Sequence, residues 1–336
     1  MRWLRRLLMS CVLVALGVAS LAWWWLQRPL PLAAASVEVS IEPGLSPRRV
    51  AELWVQAGVQ TTPRLLYEWF RWSGSSRQIR AGSYEVEAGI TPRQLLDKMV
   101  RGDEVLESVR LAEGATFAQL REALARAPAL KAATRELSDA QLMAALGEPA
   151  QAPEGRFFPD TYAYSRGVSD LTVLKRAHAA MQRRLVSAWA ERAAELPLKS
   201  MDEALILASI VEKETGREAD RAQVAGVFAN RLRIGMPLQT DPAVIYGLGA
   251  AFDGNLRKRD LQADTPYNTY LRRGLPPTPI AMPGAASLRA AVQPAATRAL
   301  YFVARSDGSG GSVFSETLAD HNRAVNQYQR GGKAPP

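Results

Sequence analysis

The alternation of apolar and polar positions divides the chain before any single residue is weighed. Residues 1–6 carry Arg2, Arg5 and Arg6, and from Leu7 to Leu26 no charged residue occurs. About 20 apolar residues in a row cross a bilayer core as one helix. The leading arginines put residues 1–6 in the cytoplasm, and Trp23, Trp24 and Trp25 suit the far headgroup belt. A cleaved signal peptide is the competing reading, since Ala33-Ala34-Ala35 supplies small residues for cleavage. The apolar run is longer than the roughly 7–15 residues of a usual signal core. The expectation is therefore a single-pass anchor over 7–26 in the inner membrane, with the rest of the chain on the periplasmic side.

Residues 27–36, with Pro29, Pro31 and a run of alanines, read as a linker. Val37, Val39 and Ile41 then alternate with Glu38, Ser40 and Glu42, as in a half-buried strand. Ser46-Pro47 opens a helix through Val50, Leu53 and Trp54, and a second helix covers 62–72. A strand follows over 82–86, and Thr91-Pro92 begins a third helix ending at Gly102. Residues 37–108 thus predict a small α+β unit, strand to helix to closing strand. It resembles the LysM-like modules that hold glycan strands; a packing platform without a ligand is the alternative.

Residues 109–330 predict a larger mixed α+β domain. A strand over 104–110 leads into helices at 117–126 and 139–146. EGRFFPDTY (154–162) crowds Phe157, Phe158 and Tyr162 around a Pro-Asp turn, as a buried corner or as rings lining a sugar cleft. A long helix over 170–195 puts Leu174, Ala177, Met181, Leu185 and Trp189 on one face, with His178 at its boundary. Further helices are expected over 220–231, from Asp241-Pro242, and over 318–329. A buried strand is expected at 299–304, a Gly/Ser turn at 308–312 with a partner strand, and a frayed tail over 331–336. The segment 267–284, with prolines at 276, 277, 279 and 283, cannot be helical. A rigid irregular path of that length is expected to shape a cleft wall.

The most informative stretch is SMDEALILASIVEKET, residues 200–215. Ser200 with Glu203 has the capping-box spacing, and Gly216 follows as a candidate helix stop. Leu207, Ile210, Val211 and Glu214 share one face, whereas Glu212 points the other way. A carboxylate on an apolar face is poorly solvated when ionised, so its pKa rises. A glutamic acid that keeps its proton near neutral pH can serve as a general acid. A helix-end carboxylate that reaches water or pairs with an arginine is the plainer reading.

Composition narrows the chemistry. The 336 residues carry a formal net charge of +9, with pI about 9.9. The basic residues are scattered and not interleaved with aromatics, which argues against a nucleic-acid partner. The one cysteine, Cys11, lies in the apolar run, and His178 and His321 are far apart. No disulfide, Cys-based zinc site or Cys–His nucleophile is expected, and no metal or cofactor.

SIVEKET (209–215), LQTDPAVIYG (238–247), YNTY followed by GLPPTPIAMPG (267–284), EGRFFPDTY and a terminal YFVA with ADHNRAV occur in one order. Together they resemble the YceG-like family of membrane-bound endolytic murein transglycosylases. The resemblance implies that Glu214, the second glutamate of the Glu-Lys-Glu-Thr sequence, is the catalytic residue. It places Gln239, Thr240, Asp241, Tyr246, Asn268 and Tyr270 in motifs suited to holding sugar; capping and loop bracing are their plainer roles. Thr278 and Met282 depart from the family pattern. The implied substrate is the peptidoglycan glycan strand, cut between MurNAc and GlcNAc to leave a 1,6-anhydroMurNAc end. Nascent strands, peptidoglycan synthases and division proteins are the implied context. A muramidase-type hydrolase pairing Glu214 with Asp241, and a non-catalytic glycan-binding tether, stand as alternatives.

Overall fold

The computed structural model describes residues 2–306, 308 and 310–329, so the tail at 331–336 and part of the 308–312 turn lie outside the described residues. The chain forms two compact units. One takes Met1–Ser108, Pro128–Leu130 and Ala163–Val168; the other takes Val109–Ala127, Lys131–Tyr162 and Ser169–Pro336. Helices and short antiparallel strand pairs make a mixed α+β architecture.

The first unit begins with α1 (Arg2–Gln27), whose stretch Arg5–Gln27 is long and apolar enough to cross a membrane. It continues through β1 (Ser36–Ile41), α2 (Pro47–Ala57), α3 (Pro63–Trp72), β2 (Gly82–Glu87) and α4 (Pro92–Arg101). β1 pairs antiparallel with β2, from Ser36 opposite Glu87 to Ile41 opposite Gly82. The alternation read from the sequence has a physical counterpart here: Val37, Val39 and Ile41 are buried with Trp54, Leu66, Phe70, Tyr84 and Met99. α2, α3 and α4 each start on a hydroxyl cap (Ser46, Thr62, Thr91) followed by proline. Proline is pre-set for the first helical position, where its missing N–H removes nothing.

The stretch 27–36, expected as a linker, is tied into this unit. Leu30 is buried, its N–H donates to Ile90 O at 2.7 Å, and Ala33 N–H donates to Gly58 O at 2.8 Å. The prolines that suggested a spacer only lack a donor; the neighbouring amides still pair.

β3 (Leu106–Arg110) pairs with β4 (Thr161–Ser165). The second unit contains α5 (Phe117–Arg126), α6 (Asp139–Ala145), α7 (Asp170–Ala190), α8 (Met201–Glu214) and α9 (Glu218–Arg233). After them come α10 (Asp241–Leu248), α11 (Lys258–Gln262), α12 (Ala285–Val292), the antiparallel pair β5 (Tyr301–Ala304) and β6 (Ser312–Ser315), and α13 (Leu318–Tyr328). α8 is the axis of the unit, with α7, α9, α10 and α12 packed around it. α12 is a helix buried along most of its length. α7 stops at Ala190, short of 195. EGRFFPDTY is the buried corner: Phe157, Phe158 and Tyr162 are all withdrawn from solvent, and Phe157 stacks on Phe117 with centroids 5.5 Å apart.

Candidate active site

α8 departs from a one-sided helix. Every residue from Ala204 to Val211 is buried, so the helix is enclosed on all sides and its periodicity carries little contrast. Ser200 Oγ accepts from Glu203 N–H at 3.2 Å, but the Glu203 carboxylate turns back to the Lys199 N–H at 2.6 Å, so only half of the capping box forms. At the other end the stop is Thr215 and not Gly216. Thr215 leaves the helix in an extended conformation (φ −145°, ψ 129°), and its hydroxyl accepts from Arg217 N–H at 3.0 Å. That local hydrogen bond competes with continued helix.

The last turn of α8 separates its two glutamates. Glu212 accepts from Gly284 N–H at 2.9 Å and lies 3.6 Å from Arg221. Glu214 lines a cavity of about 480 Å³, together with Gln239, Asp241 and Tyr270. Burial raises the Glu214 carboxyl to about 7; the Thr240 hydrogen bond pulls it down, the Asp241 charge pushes it up, and Arg231 pulls it down. Desolvation wins because one hydroxyl and one guanidinium replace only part of the lost hydration.

The segment before α10 holds the opposite partner. Thr240 stands at the N-cap of α10, yet its side chain makes no capping bond. Its Oγ1 donates instead to Glu214 Oε1 at 2.5 Å. The backbone is held for this purpose: Gln239 N–H donates to Thr269 O, and Thr240 N–H to Thr269 Oγ1, both at 3.0 Å. Gln239 adopts a left-handed φ of 51°, which costs a non-glycine residue on the order of 1 kcal/mol. Tyr270 OH donates to Asp241 Oδ1 at 2.6 Å, and burial raises the phenol strongly.

Of the residues singled out from sequence, Thr240 reaches Glu214 without lining the cavity, and Asn268 and Tyr246 do neither. Asn268 is fully buried. Its Nδ2 donates to Leu261 O and Ala263 O at 3.0 and 2.7 Å, and its Oδ1 accepts from Tyr270 N–H at 3.0 Å. It braces the turn that aims Tyr270. Tyr246 points to a second cavity, of about 330 Å³, and donates to Glu154 Oε2 at 3.1 Å. The proline-bearing stretch 276–283 is likewise absent from the Glu214 cavity. Ile280 N–H donates to Ser209 Oγ on α8 at 3.0 Å, Met282 is buried, and Thr278 lines the second cavity. The stretch 276–283 braces α8 from behind, while Tyr270, at the start of the same 267–284 segment, forms part of the Glu214 cavity wall; the two departures from the family pattern stand away from that carboxyl.

Residues that were not singled out individually from the sequence complete the cavity. Arg231, on α9, donates to Leu300 O through Nε (2.7 Å) and to Leu238 O through Nη1 (2.6 Å), and lies 5.4 Å over the Tyr301 ring. His321 stacks on Tyr301 with centroids 5.3 Å apart and planes 22° apart. Burial and the nearby Arg231 charge lower the His321 pKa, which favours the neutral ring. Glu154 was also missed. Burial raises it to about 7 against the pull of Phe117 N–H and Tyr246 OH. A lone arginine inside an amphipathic helix looks like any surface arginine; only the carbonyls it meets distinguish Arg231. Among the described residues no group of three or more His, Cys, Asp or Glu side chains converges as a metal site. What the cavity offers is one carboxyl that still holds a proton near pH 7, fixed by a hydroxyl and ringed by polar side chains.

The YceG-like family model matches residues 39–327. An endolytic murein transglycosylase of Bacillus subtilis (strain 168) is 30% identical over 310 residues, covering 87% of this chain and 85% of that protein. An endolytic murein transglycosylase of Streptococcus pneumoniae serotype 2 is 26% identical over 339 residues; the match covers 89% of this chain but 60% of that longer protein. A crystal structure of a YceG-like protein from Listeria monocytogenes superposes with a TM-score of 0.53 at 27% identity, covering 86% of this chain and 98% of that one.

Proposed function

The chain belongs to the YceG-like family, and from that footing we propose that it is a peptidoglycan lytic transglycosylase, a lyase that cuts glycan strands internally between MurNAc and GlcNAc. Glu214 is the single acid and base. Its proton passes to the bridging oxygen as the bond from that oxygen to the MurNAc C1 breaks. The C6 hydroxyl oxygen of the same MurNAc then bonds to C1, and the Glu214 carboxylate takes the hydroxyl proton. The product is a 1,6-anhydroMurNAc end, water is not consumed, and Glu214 returns protonated. Because the nucleophile is tethered to the reacting sugar, its effective concentration is high without a positioned water. The observation that carries this reading is a Glu214 carboxyl near pKa 7, fixed by Thr240 at the edge of a cavity.

Gln239, Asp241 and Tyr270 are the candidates for sugar hydroxyls, while Tyr246 and Asn268 serve as braces. Asp241 also supports a second reading, since it lines the same cavity and could activate a water for simple hydrolysis. The antiparallel β1–β2 pair with α2 and α3 between its strands supports a LysM-like glycan-holding role for the small unit. With α1 as an inner-membrane anchor, residues 1–6 cytoplasmic and the chain after α1 periplasmic, the enzyme meets nascent strands beside the synthases and division proteins that make them. Mass spectrometry of fragments released by the protein and by Glu214→Gln tests the reading. Anhydro ends from the first and none from the second are expected; reducing ends would move the assignment to hydrolysis.

A further inference from the structure

Between α1 and the small unit there is almost no slack. Trp23 and Trp24 are exposed at the end of α1, the Arg28 guanidinium lies 3.7 Å over the Trp24 ring, and Leu30 is already in the core of the unit. Three residues from Gln27 to Leu30 reach at most about 10 Å. The headgroup zone beyond the hydrocarbon is about 5–7 Å deep on each side. If α1 spans the bilayer, Leu30 and the core around it stand within a few ångströms of the headgroups.

A short path of contacts says which face meets them. Leu30 N–H donates to Ile90 O at 2.7 Å, and two residues on, Pro92 O accepts from Trp69 Nε1 at 3.0 Å. Trp69 lies on α3 four residues after Leu65 and three before Trp72, so the three share a helix face. Leu65 is 50% exposed and Trp72 79% exposed. Arg64 and Arg71, also exposed, run one residue before each along the same helix, with Glu68 between them 3.5 Å from Arg71, which leaves that row with a net positive charge. Apolar and aromatic side chains flanked by arginine are what an interfacial helix presents to anionic lipid.

We propose that the Leu65–Trp72 face of α3, flanked by Arg64 and Arg71, rests on the anionic headgroup surface of the membrane that α1 spans. The proposal rests on the reading of α1 as an anchor. Its consequence is orientational: a single helix leaves a domain free to swivel, and a second contact fixes how the small unit stands on the bilayer.

The test uses the full chain with Cys11→Ser and Trp72→Cys, so that a fluorophore at 72 is the sole label. Flotation with phosphatidylglycerol–phosphatidylethanolamine vesicles reads the anchor. Quenching by headgroup-nitroxide lipid, against aqueous iodide, reads the face. Strong lipid quenching with exclusion of iodide is expected. It should weaken about fivefold for each of Arg64→Ser and Arg71→Ser, and also in phosphatidylcholine vesicles. A floating protein whose label is quenched by iodide alone overturns the proposal and leaves the anchor standing. A label shielded from both quenchers means a protein or glycan covers the face, and also overturns it. A chain that does not float removes the anchor and the proposal together.

Discussion

The Thr240 hydroxyl donates to Glu214 Oε1 across 2.5 Å, although Thr240 occupies the N-cap of the next helix, α10. An N-cap hydroxyl turned away from its own helix forgoes on the order of 1 kcal/mol of capping. Here it fixes a carboxyl that burial alone would leave poorly solvated. One oxygen accepts from Thr240, and the proton is left to the other.

Thr240→Val keeps the volume and removes that donor. The Thr240 bond lowers the Glu214 pKa, so its loss raises the pKa further. The alkaline limb of the pH–rate profile should shift upward, and the rate at pH 7 should fall about tenfold as the carboxyl loses its fixed orientation. An unchanged limb would mean that the bond does not tune the acid.

Glu214→Gln should abolish cleavage of purified glycan strands, by about 10²–10⁴-fold or more, while circular dichroism stays unchanged. Glutamine can still accept from Thr240 but has no proton to give. Retained cleavage would move the acid elsewhere.

Arg231→Met should destabilise the chain by about 2–4 kcal/mol, because Leu300 O and Leu238 O lose their donors. Arg231→Lys should recover little of this, since a single ammonium lacks the planar fork that spans both carbonyls. Both losses are read by denaturant unfolding.

Glu154 and Glu214 keep their protons to about 7 in the folded chain, against 4.5 ordinarily. Between those values the folded state binds more protons than the unfolded one, so stability falls as pH rises from about 4.5 to 7. For Glu154, which is 6% exposed, the effect is on the order of 2–3 kcal/mol. Glu154→Gln should flatten the dependence of Tm on pH across that window; a slope equal to that of the unaltered chain would contradict the assignment.

Gly155 has φ +77°, and a Cβ there would lie 2.4 Å from the Pro279 Cβ. Gly155→Ala therefore meets both a left-handed backbone and a rigid ring. Scanning calorimetry should show Tm lowered by several degrees, at about 2–4 °C per kcal/mol.

Local signals carried far along this chain. The period-two pattern of Val37, Val39 and Ile41, the hydroxyl-proline helix starts and the uncharged run over 7–26 each depend on a few neighbouring residues, and each is visible without a fold. The carboxylate on α8 was legible for the same reason. Glu212 and Glu214, two residues apart, have to diverge on a helix, so only one of them can turn toward the cavity. What lies around that carboxyl was not legible. Arg231, Tyr301 and His321 come from three separate elements; Tyr301 and His321 stand in YFVA and ADHNRAV, but nothing local shows that these face Glu214, and nothing near Arg231 marks it. Tyr246 and Asn268 share their motifs with residues that do reach the cavity; the rotation of α10 and the tightness of the 265–270 turn send them elsewhere. The amino-acid sequence by itself determined where most of the helices and strands begin, α11 and α12 excepted, that an apolar helix leads the chain, and which glutamate shares the apolar face of its helix. Tertiary structure alone decided that this glutamate is desolvated and held by Thr240, because desolvation and hydrogen bonding are set by what packs nearby in space.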